Sequence, residues 1–361
     1  IRLLDVDVNG SHSGRLAHAS TYTFDYSRDD PAQPGQLDVS LLMPATMLHF
    51  DGGGALFPAM DMNLPEGYLF QQIREFFPKQ PITPMHLLAL MGNNGIGRLG
   101  YRLPDAPQAQ TAAVVNKADL LASGNGPALF QDLMHAYLST GAGISGIQPK
   151  IMVPDRVTLP VPTLIVKMAA VRYPGLSANE FMCLSAARAA GIQVAPFDLS
   201  EDGSLLVIER FDLAPDGARL GFEDAASLMG QRVRDMLSDR KYHGSYERVA
   251  SVLKLINLPD ADLARFFEQV ACMVMVRNGD GHLKNFGVLY SSHDDLRLAP
   301  MFDVVSTSIY KYQRYDGGPE LEDHTMALKL FAGSKGSRVY PTPAELLDFG
   351  RRVCGVSNSR A

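Results

Sequence analysis

The stretch Asn278-Gly279-Asp280-Gly281-His282-Leu283-Lys284-Asn285-Phe286, followed by Phe302-Asp303-Val304, limits how this chain can fold more than any other. Upstream, Leu263, Phe266, Phe267, Val270, Met273 and Val274 recur at helical spacing and run into Asn278-Gly279, so a helix is expected to end there in a polar turn. Downstream, Phe286 to Tyr290 and Leu296 to Pro300 are short apolar runs flanking the polar segment Ser291 to Asp295, which predicts a hairpin. Plainer readings of single residues stay open. Asp-Gly and Asn-Gly are ordinary turn formers, Asn285 suits a hairpin cap, and Asp303 suits the cap of a helix beginning near Val304.

Taken together, the residues suit phosphoryl transfer. The γ-phosphoryl of ATP leaves through a transition state with charge spread over its oxygens, so an enzyme mainly positions a hydroxyl and neutralises charge with magnesium. Magnesium prefers hard oxygen ligands and keeps several waters, which fits one carboxylate plus one amide carbonyl on separate segments. Protein kinases separate a base Asp from a magnesium-binding Asn by the interval found between Asp280 and Asn285, and a second metal-binding Asp follows in the place Asp303 fills. A D-x-x-x-x-N pair alone is a weak signal, and the helix, loop and hairpin around it strengthen it.

Segments nearer the amino terminus supply the rest of an ATP site. Pro162 to Lys167 is an apolar, β-branched run ending on a lysine, as on the kinase strand whose lysine holds the α- and β-phosphates. Asn179-Glu180 opens the helical pattern Phe181, Leu184, Ala187, Arg188, with Gly191 as C-cap, and Glu180 could pair with Lys167 or simply favour a first helical turn. Ser204 to Asp212 is a strand that turns abruptly charged; its end could meet an adenine edge, with Phe211 as the apolar cover. Ser139 to Lys150 is glycine-rich, suited to a nest of backbone donors around phosphate, although Pro149 lacks an N–H. Gly95-Ile96-Gly97-Arg98-Leu99-Gly100 satisfies G-x-G-x-x-G literally, but it follows a helical run and precedes no helix, so a hairpin turn is expected instead of a dinucleotide site.

With these motifs in this order, the chain resembles the HipA family of bacterial toxin serine/threonine kinases. The resemblance also takes in Leu64-Pro65-Glu66-Gly67 and the segment Leu87 to Gly100. It implies an α+β, two-lobed protein-kinase-like fold with an extra small β-rich N-terminal subdomain and a mainly helical C-lobe. Carried over by position, Asp280 matches the catalytic Asp, Asn285 and Asp303 the magnesium-site residues, and Lys167 the ATP-binding lysine. Ser145, Gly146, Ile147, Gln148, Pro149 and Lys150 match the phosphate-contacting loop. Glu209, Arg210 and Phe211 match the adenine hinge, while His282, Leu283, Lys284, Asn285 and Phe302 match further nucleotide contacts. The implied cofactors are ATP and Mg2+. The implied partners are a HipB-like helix-turn-helix antitoxin, DNA reached only through it, and a protein substrate such as an aminoacyl-tRNA synthetase. Kinases of this family often inactivate themselves on a serine before the phosphate loop; here the first such position is Gly143, which has no hydroxyl, and Ser145 is the remaining acceptor. Phosphate on Ser145 would add about two negative charges to a loop built for ATP phosphates, so inhibition is expected.

Bulk properties fit an intracellular enzyme. A formal charge of −6 argues against a protein that coats nucleic acid by itself. Cys183, Cys272 and Cys354 form no C-x-x-C, and no apolar run approaches the roughly 18–20 residues needed to span a bilayer, so cytoplasmic location is expected. Residues 1–105 read as the β-rich subdomain, with turn clusters at Asp29-Asp30-Pro31 and Gly52-Gly53-Gly54 and a linker from Pro104 to Ala113. Residues 114–210 read as an N-lobe-like α/β region and 213–361 as the helical C-lobe, with Gly221 to Leu258 forming two helices whose exposed faces carry Arg232, Arg234, Arg240, Lys241 and Arg248. About sixty residues follow Asp303, short for the family's helical tail, so part of the C-lobe is expected to be missing. Two other classes stay open: a small-molecule kinase using the same Asp280, Asn285 and Asp303, and a catalytically silent co-repressor acting with its antitoxin.

Overall fold

The computed structural model describes residues 1–27, 38–77, 79, 81–104, 115–122, 124, 126, 128–133, 150–153, 163–168, 173–232, 240–313, 317–333 and 336–357. Its first layer is an antiparallel sheet of β1 (Leu3–Val8), β2 (Ser11–His18), β3 (Tyr22–Tyr26), β4 (His49–Gly53) and β5 (Leu99–Arg102), in the order β4-β3-β2-β1-β5. Strand β3 shows why: Tyr22, Phe24 and Tyr26 are buried while Thr23 and Asp25 alternate outward. The helix Pro84–Met91 covers that core with Met85, Leu87 and Leu88, and starts on Thr83, whose hydroxyl accepts from the His86 amide, with Pro84 in its first turn.

A second antiparallel sheet contains β6 (Lys150–Val153), β7 (Leu164–Met168), β8 (Phe197–Leu199) and β9 (Leu205–Glu209), ordered β6-β7-β9-β8. Its central strands are apolar on successive residues because both faces are covered. Leu164, Val166, Leu205 and Val207 join the core of the first sheet. Ile165, Leu206 and Ile208 face the other way, into the core of the helical part with Leu184 and Ala187 of the helix Leu176–Ala189. Each such side chain contributes roughly 1.5–3 kcal/mol by burial, so one sheet ties both halves together.

The helical part packs Tyr246–Leu255, Asp260–Met275 and Pro343–Arg352 around a third sheet, β10 (Gly221–Asp224), β11 (Gly287–Tyr290) and β12 (Leu296–Leu298), in sequence order. The expected hairpin is β11–β12, antiparallel. Among the described residues Gly221 to Leu258 does hold two α-helices, the short Ala225–Leu228 and the longer Tyr246–Leu255, but it opens with β10, a strand the sequence did not suggest, recruited by the free edge of β11. Its basic residues are not one solvated face. Arg240 and Arg248 are exposed, Lys241 is buried, and Arg232 donates to the Gly52 carbonyl at 2.8 Å; Arg234 lies outside the described residues. Strand β4 runs through Gly52 and Gly53 and the turn comes at Gly54, while Asp29-Asp30-Pro31 and residues 105–113 lie outside the described residues.

The G-x-G-x-x-G segment is not the expected hairpin turn, nor does it follow a strand and open a helix as a dinucleotide loop does. It links the helix Pro84–Met91 to β5, which pairs with β1, and it clamps the parts of the molecule together. The Gly97 amide donates to Asp212 at 2.6 Å, the Gly95 carbonyl accepts from Arg210 at 2.9 Å, and Arg98 donates to the carbonyls of Asp38 and Ser291 at 2.8 and 3.0 Å. Gly97 has φ +83°, and a Cβ there would stand 3.3 Å from the Phe222 nitrogen, so glycine is required by conformation and by space. Among the described residues no helix is long and apolar enough to cross a membrane, and Cys183, Cys272 and Cys354 are buried free thiols.

Candidate active site

The helix Asp260–Met275 delivers the acidic loop. It closes on Val276, after which Arg277 takes a left-handed φ of 57° and the amides of Arg277 and Asn278 donate back to the carbonyls of Val274 and Met273 at 3.3 and 2.8 Å. This pair of bonds is the Schellman closure, made here without glycine. Thr307 then holds the loop: its hydroxyl donates to the Arg277 carbonyl at 3.1 Å and accepts from the Gly279 amide at 2.7 Å. A Cβ on Gly279 would lie 2.7 Å from both that hydroxyl and the Thr325 carbonyl, so nothing larger fits. The Asp280 amide donates to Asn278 Oδ1 and the His282 amide to Asn285 Oδ1, at 2.9 and 2.8 Å, bending the loop through the Leu283–Asn285 turn.

Three distant segments meet above it. Lys167 Nζ, from β7, lies 2.5 Å from Glu180 Oε1 and 2.8 Å from Asp303 Oδ1, while Asn285 Nδ2 donates to Asp303 Oδ2 at 3.2 Å. Glu180 stands in the first half of the helix Leu176–Ala189, which starts three residues before the Asn179 expected from sequence. Burial alone would lower the Lys167 pKa, but Asp303 and Glu180 outweigh it and hold the ammonium charged well above its ordinary value. Asp303 sits at φ 57°, a conformation that costs a non-glycine residue about 1–3 kcal/mol and that its surroundings must enforce. Asn285 turns its Nδ2 toward Asp303, and its Oδ1 accepts from the His282 amide at 2.8 Å with a second lone pair left over, so the hard donors of the kind magnesium takes are the Asp303 carboxylate and that amide oxygen. Among the described residues, no group of three His, Cys, Asp or Glu side chains could hold a metal by itself.

These groups line a cleft of about 810 Å³, within the range of nucleotide-sized pockets. Lys167, Asp280, His282, Lys284, Phe302 and Asp303 are all on its wall. Its apolar end carries Ile165, Ile208 and a triad in which Phe211 stacks on Phe302 (5.3 Å, 28°) with Phe222 edge-on (6.0 Å, 69° to Phe302). Of the three hinge residues expected from sequence, Phe211 alone lines the cleft. Glu209 accepts from Lys117 at 3.0 Å, and the fully buried guanidinium of Arg210 pairs with Asp212 at 2.6 Å. Their amides are also committed, to the Pro196 and Thr163 carbonyls. Leu283 is fully buried in the core beneath the loop. Ser145, Gly146, Ile147, Gln148 and Pro149 lie outside the described residues, as does the Lys150 side chain; the Lys150 backbone opens β6, paired with Lys167.

Several contacts here were not expected from sequence, including those of Lys284 and His282, which the resemblance had matched to nucleotide contacts. Lys284 reaches across to Glu66 of the N-terminal part, with Nζ–Oε1 at 2.5 Å, and Lys241 approaches the other oxygen at 3.6 Å. Burial pushes the Glu66 carboxyl up, yet the two ammonium groups prevail and hold it at about 2. Burial, then the nearby Lys241 charge, drives His282 down to about 3, so its imidazole is neutral and suits hydrogen bonding rather than acid catalysis. Burial raises Asp224, which caps the helix Ala225–Leu228 from the cleft wall, to about 6. Tyr242 donates from its hydroxyl to Asp280 Oδ1 at 2.6 Å. The only local hint was the Lys241-Tyr242 pair in a basic stretch, because the partners are 38 to 218 positions away.

A sheet-based lobe and a helical lobe, closing on a Lys–Glu pair and an Asp–Asn pair, define a kinase-like α+β fold. Residues 4–102 match the HipA N-terminal domain and residues 142–359 the HipA-like C-terminal domain, and the chain belongs to the HipA family. A solved structure from Shewanella oneidensis MR-1, of the toxin–antitoxin system HipA and HipB with operator DNA, has the same fold: TM-score 0.68 at 18% identity, covering 99% of this chain and 86% of that one. "Putative kinase Y4dM" of Sinorhizobium fredii is 32% identical over 161 residues, 40% of this chain and 38% of that protein. A protein of Haemophilus influenzae named "Putative kinase" is 28% identical over 218 residues, 55% of this chain and 60% of that one. The chain thus spans less than two thirds of the length of these curated relatives.

Proposed function

We propose that this chain is an ATP- and magnesium-dependent serine/threonine protein kinase, the toxin of a toxin–antitoxin pair. The observation that carries the reading is the convergence of Lys167, Asp280 and Asp303 on one cleft, from segments up to 136 positions apart, with the buried Glu180 and Asn285 holding Lys167 and Asp303 from behind. Lys167, held straight by Glu180, would meet the α- and β-phosphates, and the Phe211–Phe302 end would take the base. Asp303 and Asn285 would hold magnesium, which supplies charge neutralisation at the phosphates when bound. Asp280 orients the acceptor hydroxyl and takes its proton as the oxygen bonds to phosphorus, while ADP leaves. His282, neutral, is left to hydrogen bonding.

The names of the curated relatives and the family membership support a kinase. The Shewanella complex supports a helix-turn-helix antitoxin of the HipB kind as partner, with DNA reached through it, which suits a chain of net charge −6. A translation component such as an aminoacyl-tRNA synthetase is the acceptor we assign, with growth arrest as the outcome and the cytoplasm as its place. The test is labelled-ATP transfer in lysate with wild type and Asp280→Asn. Label on protein that depends on Asp280 is expected; label on a small molecule, or nucleotide binding with no transfer in either protein, would overturn the reading.

A further inference from the structure

Asp280 already holds a hydroxyl. Tyr242 Oη donates to its Oδ1 at 2.6 Å, and the phenol ring lies edge-on to His282 at 5.3 Å, so Tyr242 and Asp280 share one wall of the cleft. The backbone around it is fixed. Arg338 donates to the Tyr242 carbonyl at 2.6 Å, and the preceding Lys241 is buried against Glu66. Burial and then the Asp280 charge push the phenol pKa well above its ordinary value, so the hydroxyl keeps its proton and remains a donor.

A phosphoacceptor must make this same contact. For proton transfer its oxygen has to come within about 2.6–3.2 Å of the base carboxylate, the distance at which the phenol oxygen now sits. We propose that Tyr242 is a positioning and specificity residue that plugs the acceptor place on Asp280, and that a substrate hydroxyl enters only by displacing it. The inference rests on the kinase reading above. It explains how an open cleft could hold ATP without wasting it on water. Hydrolysis would form a bond from a water oxygen to the γ-phosphorus, break the bond to ADP and pass the water proton to Asp280, and the phenol stands where that water must bind. A protein acceptor with contacts along the cleft mouth can offset the loss of the phenol–carboxylate bond, whereas water cannot. A hydrogen bond to a charged group is strong enough to suppress the idle reaction by roughly 10-fold to 100-fold.

The test is phosphate release from ATP with Mg2+ and no acceptor, using the whole chain as wild type, Tyr242→Phe, Asp280→Asn and the double variant, with peptide mass mapping of residue 242. Phenylalanine keeps the ring and its packing, so a merely structural role would leave turnover unchanged or lower it. The expected result is a rise in kcat of about 10-fold or more for Tyr242→Phe, an unchanged KM for ATP, and loss of the gain when Asp280→Asn is added. Turnover of Tyr242→Phe at or below wild type, in protein whose activity still depends on Asp280, overturns the plug; so does phosphate found on Tyr242, which would make it an acceptor. If no variant binds or turns over ATP, the kinase reading itself falls.

Discussion

Replacing Lys167 with Met isolates the buried pair on which the cleft is built. The Lys167 and Glu180 side chains are 5% and 0% exposed and 2.5 Å apart, so the substitution takes away the ammonium that neutralises a carboxylate inside the core. Methionine keeps the length and apolar stem of lysine, which leaves the loss mainly electrostatic. Breaking one side of a buried pair costs roughly 3–5 kcal/mol. Asp303, 31% exposed, can be rehydrated and adds little to that cost. Adding Glu180→Gln removes the stranded charge and should restore about 2 kcal/mol, so the two changes are strongly non-additive. The chain has no tryptophan, and urea unfolding is best followed by far-ultraviolet circular dichroism. A loss under about 1 kcal/mol for Lys167→Met, or a double variant no more stable than the single one, would refute the reasoning.

Glu66→Gln should cost roughly 3 kcal/mol at pH 7. The folded carboxyl sits at about 2 against an ordinary 4.5, so its stabilisation is complete above about pH 4.5 and fades as pH falls towards 2; urea midpoints at pH 7 and pH 3 should show the gap between variant and wild type shrinking. Asp224→Asn has the opposite sign. The raised carboxyl at about 6 penalises the folded state above that pH, and asparagine still caps Ser227, so the variant should be as stable as wild type or more stable at pH 8, losing any advantage near pH 4 in the same assay. Gly97→Ala should lower stability by about 1–2 kcal/mol in thermal melts, through its positive φ and the approach to Phe222, while ATP affinity is unchanged; a selective loss of ATP binding in a stable variant would return the segment to nucleotide recognition.

Local patterns made the region around the cleft readable. The helix Asp260–Met275, the β11–β12 hairpin, the strand ending near Lys167 and the helix bearing Glu180 all follow from periodicity and end signals within a few residues of each element. What stayed hidden was set by pairing across long separations. Strand β10 exists because β11 offers an edge, and no feature of Gly221-Phe222-Glu223-Asp224 announces it. Glu66 meets Lys284 over 218 positions, and Lys241, read as part of a solvated basic face, is buried by that carboxylate. The G-x-G-x-x-G segment lies between a helix and a strand, where a hairpin turn was expected, and its role as a clamp on Arg210 and Asp212 depends on residues over a hundred positions away.

Calorimetric titration of ATP into wild type and Asp303→Asn, each with and without Mg2+, tests the central claim most directly. Magnesium should tighten ATP binding to wild type by about 10-fold or more, and Asp303→Asn should abolish most of that gain while binding ATP alone as before. Equal affinity with and without the metal in wild type, or a full metal effect in Asp303→Asn, would contradict the assignment of this cleft to magnesium and ATP.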